Sequence, residues 1–205
     1  MTAKKTIYII RHGETDYNKR RIIQGQGIDS VLNDTGHKQA FQFYRAYHHI
    51  PFDVIYTSSL RRTQQSVQDF IEAGFKQKIM PEFDEISWGI FEGLSGDFES
   101  KSKLRSMIND WSAGLLDRSV DDGETPNSVF KRQKEGIRKI LMKPDKNILI
   151  CTHGRALKIL LCLMTKTPLE EMEQFRHSNL TLYQFDYDGK DFKIIKSNCT
   201  KHLMI

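Results

Sequence analysis

The stretch Ile7-Tyr8-Ile9-Ile10-Arg11-His12-Gly13-Glu14 decides the fold, because an apolar run ends abruptly in a cation and a histidine. A second stretch, Ile148-Leu149-Ile150-Cys151-Thr152-His153-Gly154, repeats the pattern near the other end of the chain. Such runs are typical of buried parallel strands, and α/β proteins bind ligands beyond the carboxyl ends of those strands. We therefore expect both histidines in one pocket, which Arg11 makes suitable for an anion such as phosphate.

The overall composition is that of a soluble globular protein, with 39% hydrophobic and 28% charged residues in 205. This length suits one domain over residues 1–205. Lysine and arginine exceed aspartate and glutamate by 31 to 26, which gives a net charge of +5. The basic residues are scattered and form no run with interleaved aromatics, so we expect a small anionic partner and no nucleic acid.

Three widely spaced cysteines, Cys151, Cys162 and Cys199, form neither a disulfide framework nor a zinc motif. They indicate a reducing compartment. Residues 1–5 lack the apolar core of a signal peptide, and the longest apolar stretch, 159–164, is too short to cross a bilayer. We therefore expect a cytoplasmic protein without a membrane partner.

Strands and helices alternate in the hydrophobic pattern. Apolar runs predict strands over 6–10, 53–57, 147–151, 180–186 and 192–196, and helical periodicity follows Gly36, Ser59, Pro126 and Gly154. This alternation predicts an α/β fold, a three-layer α/β/α sandwich with a mostly parallel central sheet. Turn residues at 187–190 predict an antiparallel hairpin at the sheet edge, where a homodimer could pair.

A long insertion around 81–123 is weakly patterned and rich in glycine, including Gly89, Gly93, Gly96 and Gly114. We predict a short helix over 101–112 within it. Long loops over α/β sheets tend to cover active sites, so this segment is expected to cover the substrate.

The motif Arg11-His12-Gly13-Glu14-Thr15 resembles the histidine phosphatase superfamily, also called the phosphoglycerate mutase-like family. Further segments follow in the family's order over nearly the whole chain. They are Asn18, Gln24-Gly25, Ser58-Ser59-Leu60-Arg61-Arg62-Thr63, Glu85 ahead of Gly89 and Gly93, Gly123-Glu124-Thr125, and Thr152-His153-Gly154. An ordered set of this size is far more specific than one motif alone.

The resemblance implies a phosphoryl transfer in which His12 attacks phosphorus and forms a phosphohistidine that water hydrolyses. A backbone carbonyl should hold the Nδ1 proton of His12, so that Nε2 presents its lone pair. Arg11, Arg62 and a charged His153 would stabilise the phosphoryl oxygens. Glu85 would protonate the leaving alkoxide and then activate water. With this charge supplied by side chains, neither a metal nor a cofactor is expected.

Five further residues are expected to bind the substrate: Asn18, Gln24, Gly25, Thr152 and Gly154. Asn18 would donate its side-chain amide, and the Gly154 N–H would point at the phosphate from the start of a helix. Thr152 could bond the phosphate or only the loop, and the sequence leaves both open.

Several neighbours compete with these assignments. Glu82, Asp84 and Glu92 are rivals of Glu85, whose place relative to the glycines favours it. Arg61 is interpreted as solvated, and Glu14 as a partner that orients an arginine. The remaining histidines, His37, His48, His49, His177 and His202, receive no functional role.

The family contains phosphatases and cofactor-dependent mutases. A mutase needs extra cations before Gly123-Glu124, whereas residues 115–122 hold one arginine, Arg118, and three aspartates. We therefore expect a phosphatase acting on a small phosphomonoester of unspecified identity. A cofactor-dependent phosphoglycerate mutase, and a weakly catalytic phospho-ligand-binding or scaffold protein, are the alternatives.

Candidates for the pocket rim are Ile22, Ile23, Gln24, Trp88, Phe91 and Trp111, with simple core packing as the other interpretation of Phe91 and Trp111. Arg155 departs from the small residue usual after His-Gly and could contact substrate or close the pocket.

Overall fold

A mixed sheet of six strands forms the centre of the protein in the computed structural model, which describes residues 4–94 and 98–204. The strands are β1 (Lys5–Arg11), β2 (Val54–Thr57), β3 (Gln77–Ile79), β4 (Asn147–Thr152), β5 (Leu182–Tyr187) and β6 (Phe192–Cys199). Their order in the sheet is β3-β2-β4-β1-β5-β6. The first four are parallel, and β5 and β6 add an antiparallel hairpin at the edge. The predicted sheet and edge hairpin are confirmed.

Helices connect the strands. They are α1 (Asp16–Arg20), α2 (Asp34–Tyr47), α3 (Arg61–Gln65), α4 (Gln68–Glu72), α5 (Phe98–Ser112), α6 (Pro126–Leu141) and α7 (Gly154–Thr165). Short 3-10 helices lie at Pro81–Phe83, Gly89–Phe91, Leu169–Gln174 and Lys201–Met204. None of the helices in the described ranges combines the length and hydropathy that crossing a bilayer requires.

Alternating side chains of β1 enter two separate cores, which explains the layers. Ile7 and Ile9 pack with residues of α6 and α7, such as Ile140 and Leu160. Tyr8 and Ile10 point the other way and pack with Phe43 of α2 and with α4. Because successive strand residues face opposite sides, a continuous apolar run requires helices on both faces. The predicted three-layer sandwich is confirmed.

Local differences from the sequence prediction have physical causes. The periodicity after Ser59 continues through two helices, α3 and α4, which break at Val67, where φ is −121°. Strand β5 begins at Leu182 because Leu180 adopts a left-handed backbone with φ of 51°. Strand β3 was not predicted, since three residues are too few to show a period. Residues 1–3, 95–97 and 205 lie outside the described residues, and Gly96 of the predicted insertion is among them.

Two glycines fix the loop that follows β1. A Cβ on Gly13 would lie 2.7 Å from the carbonyl oxygen of Gly36, and one on Gly36 would lie 2.1 Å from that of Glu14. The loop therefore packs directly against the first turn of α2, at a distance that only glycine allows. This contact holds His12 at the carboxyl end of the sheet.

Candidate active site

The two histidines of the repeated pattern lie side by side because β1 and β4 are adjacent and parallel. Arg11 is in register with Thr152, so His12 and His153 are the next residues on each strand. Their ring centroids are 5.2 Å apart, and both side chains are buried. The structure thus brings together the residues that the sequence predicted to share one pocket.

His12 is held with one ring nitrogen available. Its Nδ1 lies 2.7 Å from the carbonyl oxygen of Gly13. Burial, followed by the charges of Arg62 and Arg11, lowers the pKa of His12 well below its ordinary value, so the ring is neutral at pH 7. Nδ1 must therefore carry the proton and donate a hydrogen bond to the Gly13 carbonyl oxygen. Nε2 then bears a lone pair, and no hydrogen bond reaches it from the described part of the chain.

Arg11 lies next to His12 with an unused donor. Its Nη1 is 3.3 Å from Nδ1 of His177, whereas its Nε is buried and has no hydrogen-bond partner in the described ranges. Burial lowers the pKa of Arg11, and the carboxylate of Glu85 partly opposes this. A buried N–H without a partner costs free energy, which a bound anion would restore.

Arg62 is fully buried and is fixed by three protein acceptors. Its Nε donates to Nδ1 of His153 at 3.1 Å, Nη1 to the Ile28 carbonyl at 2.6 Å, and Nη2 to the Gly25 carbonyl at 3.2 Å. Burial lowers its pKa to about 10, so it stays charged at neutral pH. The carbonyl of Gly25, a residue predicted to bind substrate, therefore holds this guanidinium.

Arg61 points elsewhere, as the sequence suggested. Its side chain is 60% exposed and pairs with the carboxylate of Asp29 at 3.1 Å. The two consecutive arginines thus have opposite environments.

His153 differs from the expectation that it carries positive charge. Its Nδ1 accepts the Arg62 hydrogen bond, so the proton of the neutral ring is on Nε2, which donates to the Ser58 hydroxyl at 2.8 Å. The Ser58 hydroxyl is also hydrogen-bonded to the hydroxyl of Thr63, at 2.9 Å. Burial, then Arg62 and His12, lowers the pKa of His153 well below its ordinary value. His153 is therefore neutral in this structure and orients Arg62.

Glu85 is buried against the first turn of α7. Its Oε1 accepts the N–H groups of Ile86 at 3.0 Å and Ala156 at 2.8 Å, and Oε2 accepts that of Arg155 at 3.1 Å. This carboxylate accepts hydrogen bonds from backbone N–H groups that have no acceptor within the helix, because they lie in its first turn. It also interacts electrostatically with two arginines, Arg11 and Arg62.

The rival carboxylates have other partners. Asp84 accepts hydrogen bonds from the Ser59 N–H and hydroxyl, Glu82 pairs with Lys139, and Glu92 accepts the Trp88 N–H. Glu14 accepts a hydrogen bond from Asn33 at 2.9 Å, and no arginine of residues 4–94 and 98–204 is hydrogen-bonded to it.

The predicted substrate-binding side chains divide into two groups. Asn18 uses Oδ1 to accept from Asn179 at 3.1 Å, which leaves its Nδ2 donor without a partner in the described ranges. Gln24 lines a cavity together with Arg11 and Asn18. Thr152 instead donates its hydroxyl to the Phe83 carbonyl at 2.8 Å, fully buried, so its side chain fixes the loop and is turned away from substrate. Gly154 begins α7, where a Cβ would lie 3.1 Å from Cε1 of His177.

A cavity of about 370 Å³ opens beside Arg11. It is lined by Arg11, Asn18, Arg21, Ile22, Ile23, Gln24, Trp88, Leu104 and Asn179. Four predicted rim residues, Ile22, Ile23, Gln24 and Trp88, are therefore present, whereas Phe91 and Trp111 are absent from its wall.

Phe91 and Trp111 pack in a core beneath the cavity. Trp111 stacks on Trp88 with ring centroids 5.5 Å apart. The Arg155 guanidinium lies 5.5 Å from the Trp111 ring and 5.8 Å from the Trp88 ring, and it pairs with Glu173. Arg155 therefore supports the wall from behind.

Sequence reasoning missed three residues at the site: Ser58, His177 and Asn179. Asn179 donates to the His12 carbonyl at 3.0 Å and to Asn18. His177 contacts Arg11, and burial followed by Arg11 lowers its pKa to about 3. His177 and Asn179 precede β5 and belong to no motif, so only the position of that strand beside β1 reveals them. Across residues 4–94 and 98–204, no three histidine, cysteine, aspartate or glutamate side chains converge as a metal site would require.

Comparison with known proteins identifies the family. The sequence model of the histidine phosphatase superfamily (branch 1) matches residues 7–200. The chain belongs to this superfamily. It is 30% identical to the probable phosphoglycerate mutase GpmB of Cronobacter sakazakii, over 88% of this chain and 84% of that protein. It is also 30% identical to fructose-2,6-bisphosphatase TIGAR B of Danio rerio, over 73% of this chain and 56% of that protein.

A solved structure shares the fold. The α-ribazole phosphatase of Shigella flexneri superposes with a TM-score of 0.80 over 95% of this chain and 96% of that chain, at 23% identity. The sandwich and its edge hairpin are therefore common to both proteins.

Proposed function

We propose that this member of the histidine phosphatase superfamily hydrolyses a small phosphomonoester through a phosphohistidine on His12, without a metal ion. The observation that carries the proposal is the pairing of His12 with Arg11. A neutral, buried imidazole with an open Nε2 lies beside a guanidinium whose buried Nε lacks a partner in the described ranges. A phosphoryl dianion supplies both an electrophile for the first and an acceptor for the second.

The first step transfers the phosphoryl group to the protein. Nε2 of His12 attacks phosphorus, the bond from phosphorus to the ester oxygen breaks, and Glu85 gives its proton to the departing alkoxide. Oε2 of Glu85 accepts a single hydrogen bond, from Arg155, and is therefore the oxygen with room for this proton. In the second step Glu85 takes a proton from water, which attacks phosphorus and releases His12.

Charge for the phosphoryl oxygens comes from groups that are already in place. Arg11 Nε, the Asn18 side-chain amide and the first N–H of α7 supply donors, and Arg62 adds a fixed positive charge. Preorganised donors of this kind need no rearrangement when the transition state forms. His153 and Ser58 act through Arg62 as positioning residues.

The segment 115–122 favours hydrolysis over phosphate isomerisation. Its one arginine, Arg118, is 60% exposed and pairs with Asp110 at 2.7 Å, and it is absent from the cavity wall. The segment therefore adds no cation to hold a bisphosphorylated intermediate. Because one relative is named a probable phosphoglycerate mutase, isomerisation is the second candidate.

Turnover of p-nitrophenyl phosphate tests the proposal. We expect hydrolysis that persists in EDTA and falls by about 10⁴-fold or more in His12→Ala, as for other covalent nucleophiles. His48→Ala, which changes an exposed histidine directly after α2, is the matched control and should retain activity. Full activity in His12→Ala would refute the mechanism, and absence of any turnover by the unchanged protein would favour a binding or scaffold role.

A second assay separates hydrolysis from isomerisation. The protein is incubated with 3-phosphoglycerate and a trace of 2,3-bisphosphoglycerate, and both inorganic phosphate and 2-phosphoglycerate are measured. We expect any product to be inorganic phosphate. Rapid formation of 2-phosphoglycerate without free phosphate would overturn the choice of hydrolysis.

A further inference from the structure

We infer that the cavity beside Arg11 binds a second anionic group of the substrate, a carboxylate or a second phosphate, through Arg21. This inference rests on the proposed phosphatase function and narrows its substrate class. Arg21 and Arg11 line the same cavity of about 370 Å³. That volume is several times larger than a phosphoryl group needs.

The backbone of Arg21 is fixed relative to the phosphoryl end of the site. Arg21 directly follows α1, and its N–H donates to the carbonyl oxygen of Asn18 at 3.0 Å. Asn18 in turn is bonded to Asn179, which also holds the His12 carbonyl. A short chain of hydrogen bonds therefore connects the Arg21 backbone to the nucleophile.

Arg21 occupies this position at a conformational cost. Its φ of 56° and ψ of 36° are left-handed, a region that glycine adopts freely and a side chain disfavours. A residue held in such a backbone at a ligand cavity suggests that its side chain has a function. The long cation is present where glycine would serve the turn better.

The charge of Arg21 is not neutralised within the described ranges. No hydrogen bond or ion pair joins its guanidinium to the residues that the structure describes, and the cavity wall contains no carboxylate. Once Arg11 has engaged a phosphoryl group, one positive charge remains. A guanidinium binds a carboxylate or a phosphate through two parallel hydrogen bonds.

The rest of the wall limits what joins the two anionic groups. It mixes polar and apolar side chains, and the apolar ones are Ile22, Ile23, Trp88 and Leu104. Apolar side chains in the same wall as both arginines suit a short carbon skeleton between the two anionic groups. The substrate class is therefore a phosphate ester of a small acid, or a small sugar bisphosphate.

Matched pairs of esters test the inference. One pair is 3-phosphoglycerate and glycerol 3-phosphate, which differ by a carboxylate; the other is fructose 1,6-bisphosphate and fructose 6-phosphate. We expect kcat/KM to be about tenfold or more higher for the anionic member of at least one pair, a usual gain for one charge-assisted pair. Arg21→Gly removes the guanidinium and suits the left-handed backbone, and it should bring that ratio close to one through KM.

Arg20→Ala is the matched control, because Arg20 is exposed on the same helix and is absent from the cavity wall. It should leave the ratio unchanged. Equal ratios in Arg21→Gly and the unchanged protein, with p-nitrophenyl phosphate still hydrolysed, would overturn the inference and leave the proposed function intact. Calorimetric binding of the four esters to His12→Ala decides the same question without turnover. There, too, an equal preference with and without Arg21→Gly would refute it.

Discussion

The two ends of the site, the buried group around His12 and the cavity beside Arg11, differ in how their side chains are held. At the phosphoryl end, His12, Arg62 and His153 are 2%, 0% and 0% exposed, and backbone carbonyls or neighbouring side chains fix each ring or guanidinium. At the other end, Arg21 is exposed and Ile22 and Leu104 are half-buried.

This difference indicates a division of labour. Buried, hydrogen-bonded charges can stabilise a transition state without rearranging, which suits chemistry common to all substrates. Half-exposed side chains at the end of α1 and in α5 can change without disturbing the sheet, which suits the choice of substrate. Substitutions at the two ends should therefore differ in size and in the kinetic constant that they alter.

After the loss of the nucleophile in His12→Ala, the largest effect is expected for Arg62→Ala. Loss of the buried guanidinium should lower kcat/KM for p-nitrophenyl phosphate by about 100- to 1000-fold, as for other preorganised donors. Arg61→Ala is the matched control, one residue away, because Arg61 is exposed and paired with Asp29. It should cost less than about threefold, since surface pairs contribute little. Similar losses in both variants would contradict the assignment.

Acid should destabilise the phosphoryl end. Burial and neighbouring arginines lower the pKa of His12 and His153 well below the ordinary value. The unfolded chain takes up protons below about pH 6.5 and the folded chain does not, so stability that is complete above this pH is lost as the pH falls.

Each of these two histidines should remove about 2 kcal/mol of unfolding free energy between pH 7 and pH 5. Urea unfolding in a buffer without phosphate or sulfate measures this. In His153→Gln, the loss of unfolding free energy between pH 7 and pH 5 should be smaller by the contribution of one histidine, about 2 kcal/mol. Unfolding free energy that stays constant or rises toward pH 5 would contradict the neutral assignment.

A smaller effect is expected for His177→Ala. The His177 ring accepts a hydrogen bond from Arg11 at 3.3 Å and is neutral, with a pKa of about 3. Its loss should free Arg11 to reorient and lower kcat by about tenfold, the size of one modest hydrogen bond. His177→Asn, which can still accept from Arg11, should recover part of this rate. A change in stability without a change in kcat would limit His177 to packing.

The smallest effect is expected behind the cavity wall. Arg155 lies against Trp88 and Trp111, and an interaction of this type contributes about 0.5–1 kcal/mol. Arg155→Ala should therefore raise KM about two- to fivefold and leave kcat nearly unchanged. A large fall in kcat would show that Arg155 contacts the reacting phosphate.

Much of the phosphoryl end could be predicted from sequence because its signals are local. The run before Arg11 and its repeat before His153 indicate parallel strands, and parallel strands bring their carboxyl ends together. The distinction between Arg61 and Arg62 follows from one step around a helix. These interpretations need no knowledge of distant residues.

The rest depends on contacts between distant parts of the chain. His177 and Asn179 reach the site only because β5 pairs with the outer side of β1. The neutral state of His153 depends on Arg62, 91 residues away in sequence, which donates to its Nδ1. The hydroxyl of Thr152 is engaged by the carbonyl of Phe83, 69 residues away. No local pattern records such partners.

Trapping the phosphorylated protein tests the central claim most directly. The protein is mixed with excess p-nitrophenyl phosphate, denatured with alkali within milliseconds, and digested for mass spectrometry under basic conditions that preserve phosphohistidine. We predict one phosphoryl group on the peptide that contains His12, accumulating more in Glu85→Gln, where water activation is slowed. A phosphoryl group on His153 or His177, or rapid turnover with no labelled peptide, would contradict His12 as the nucleophile.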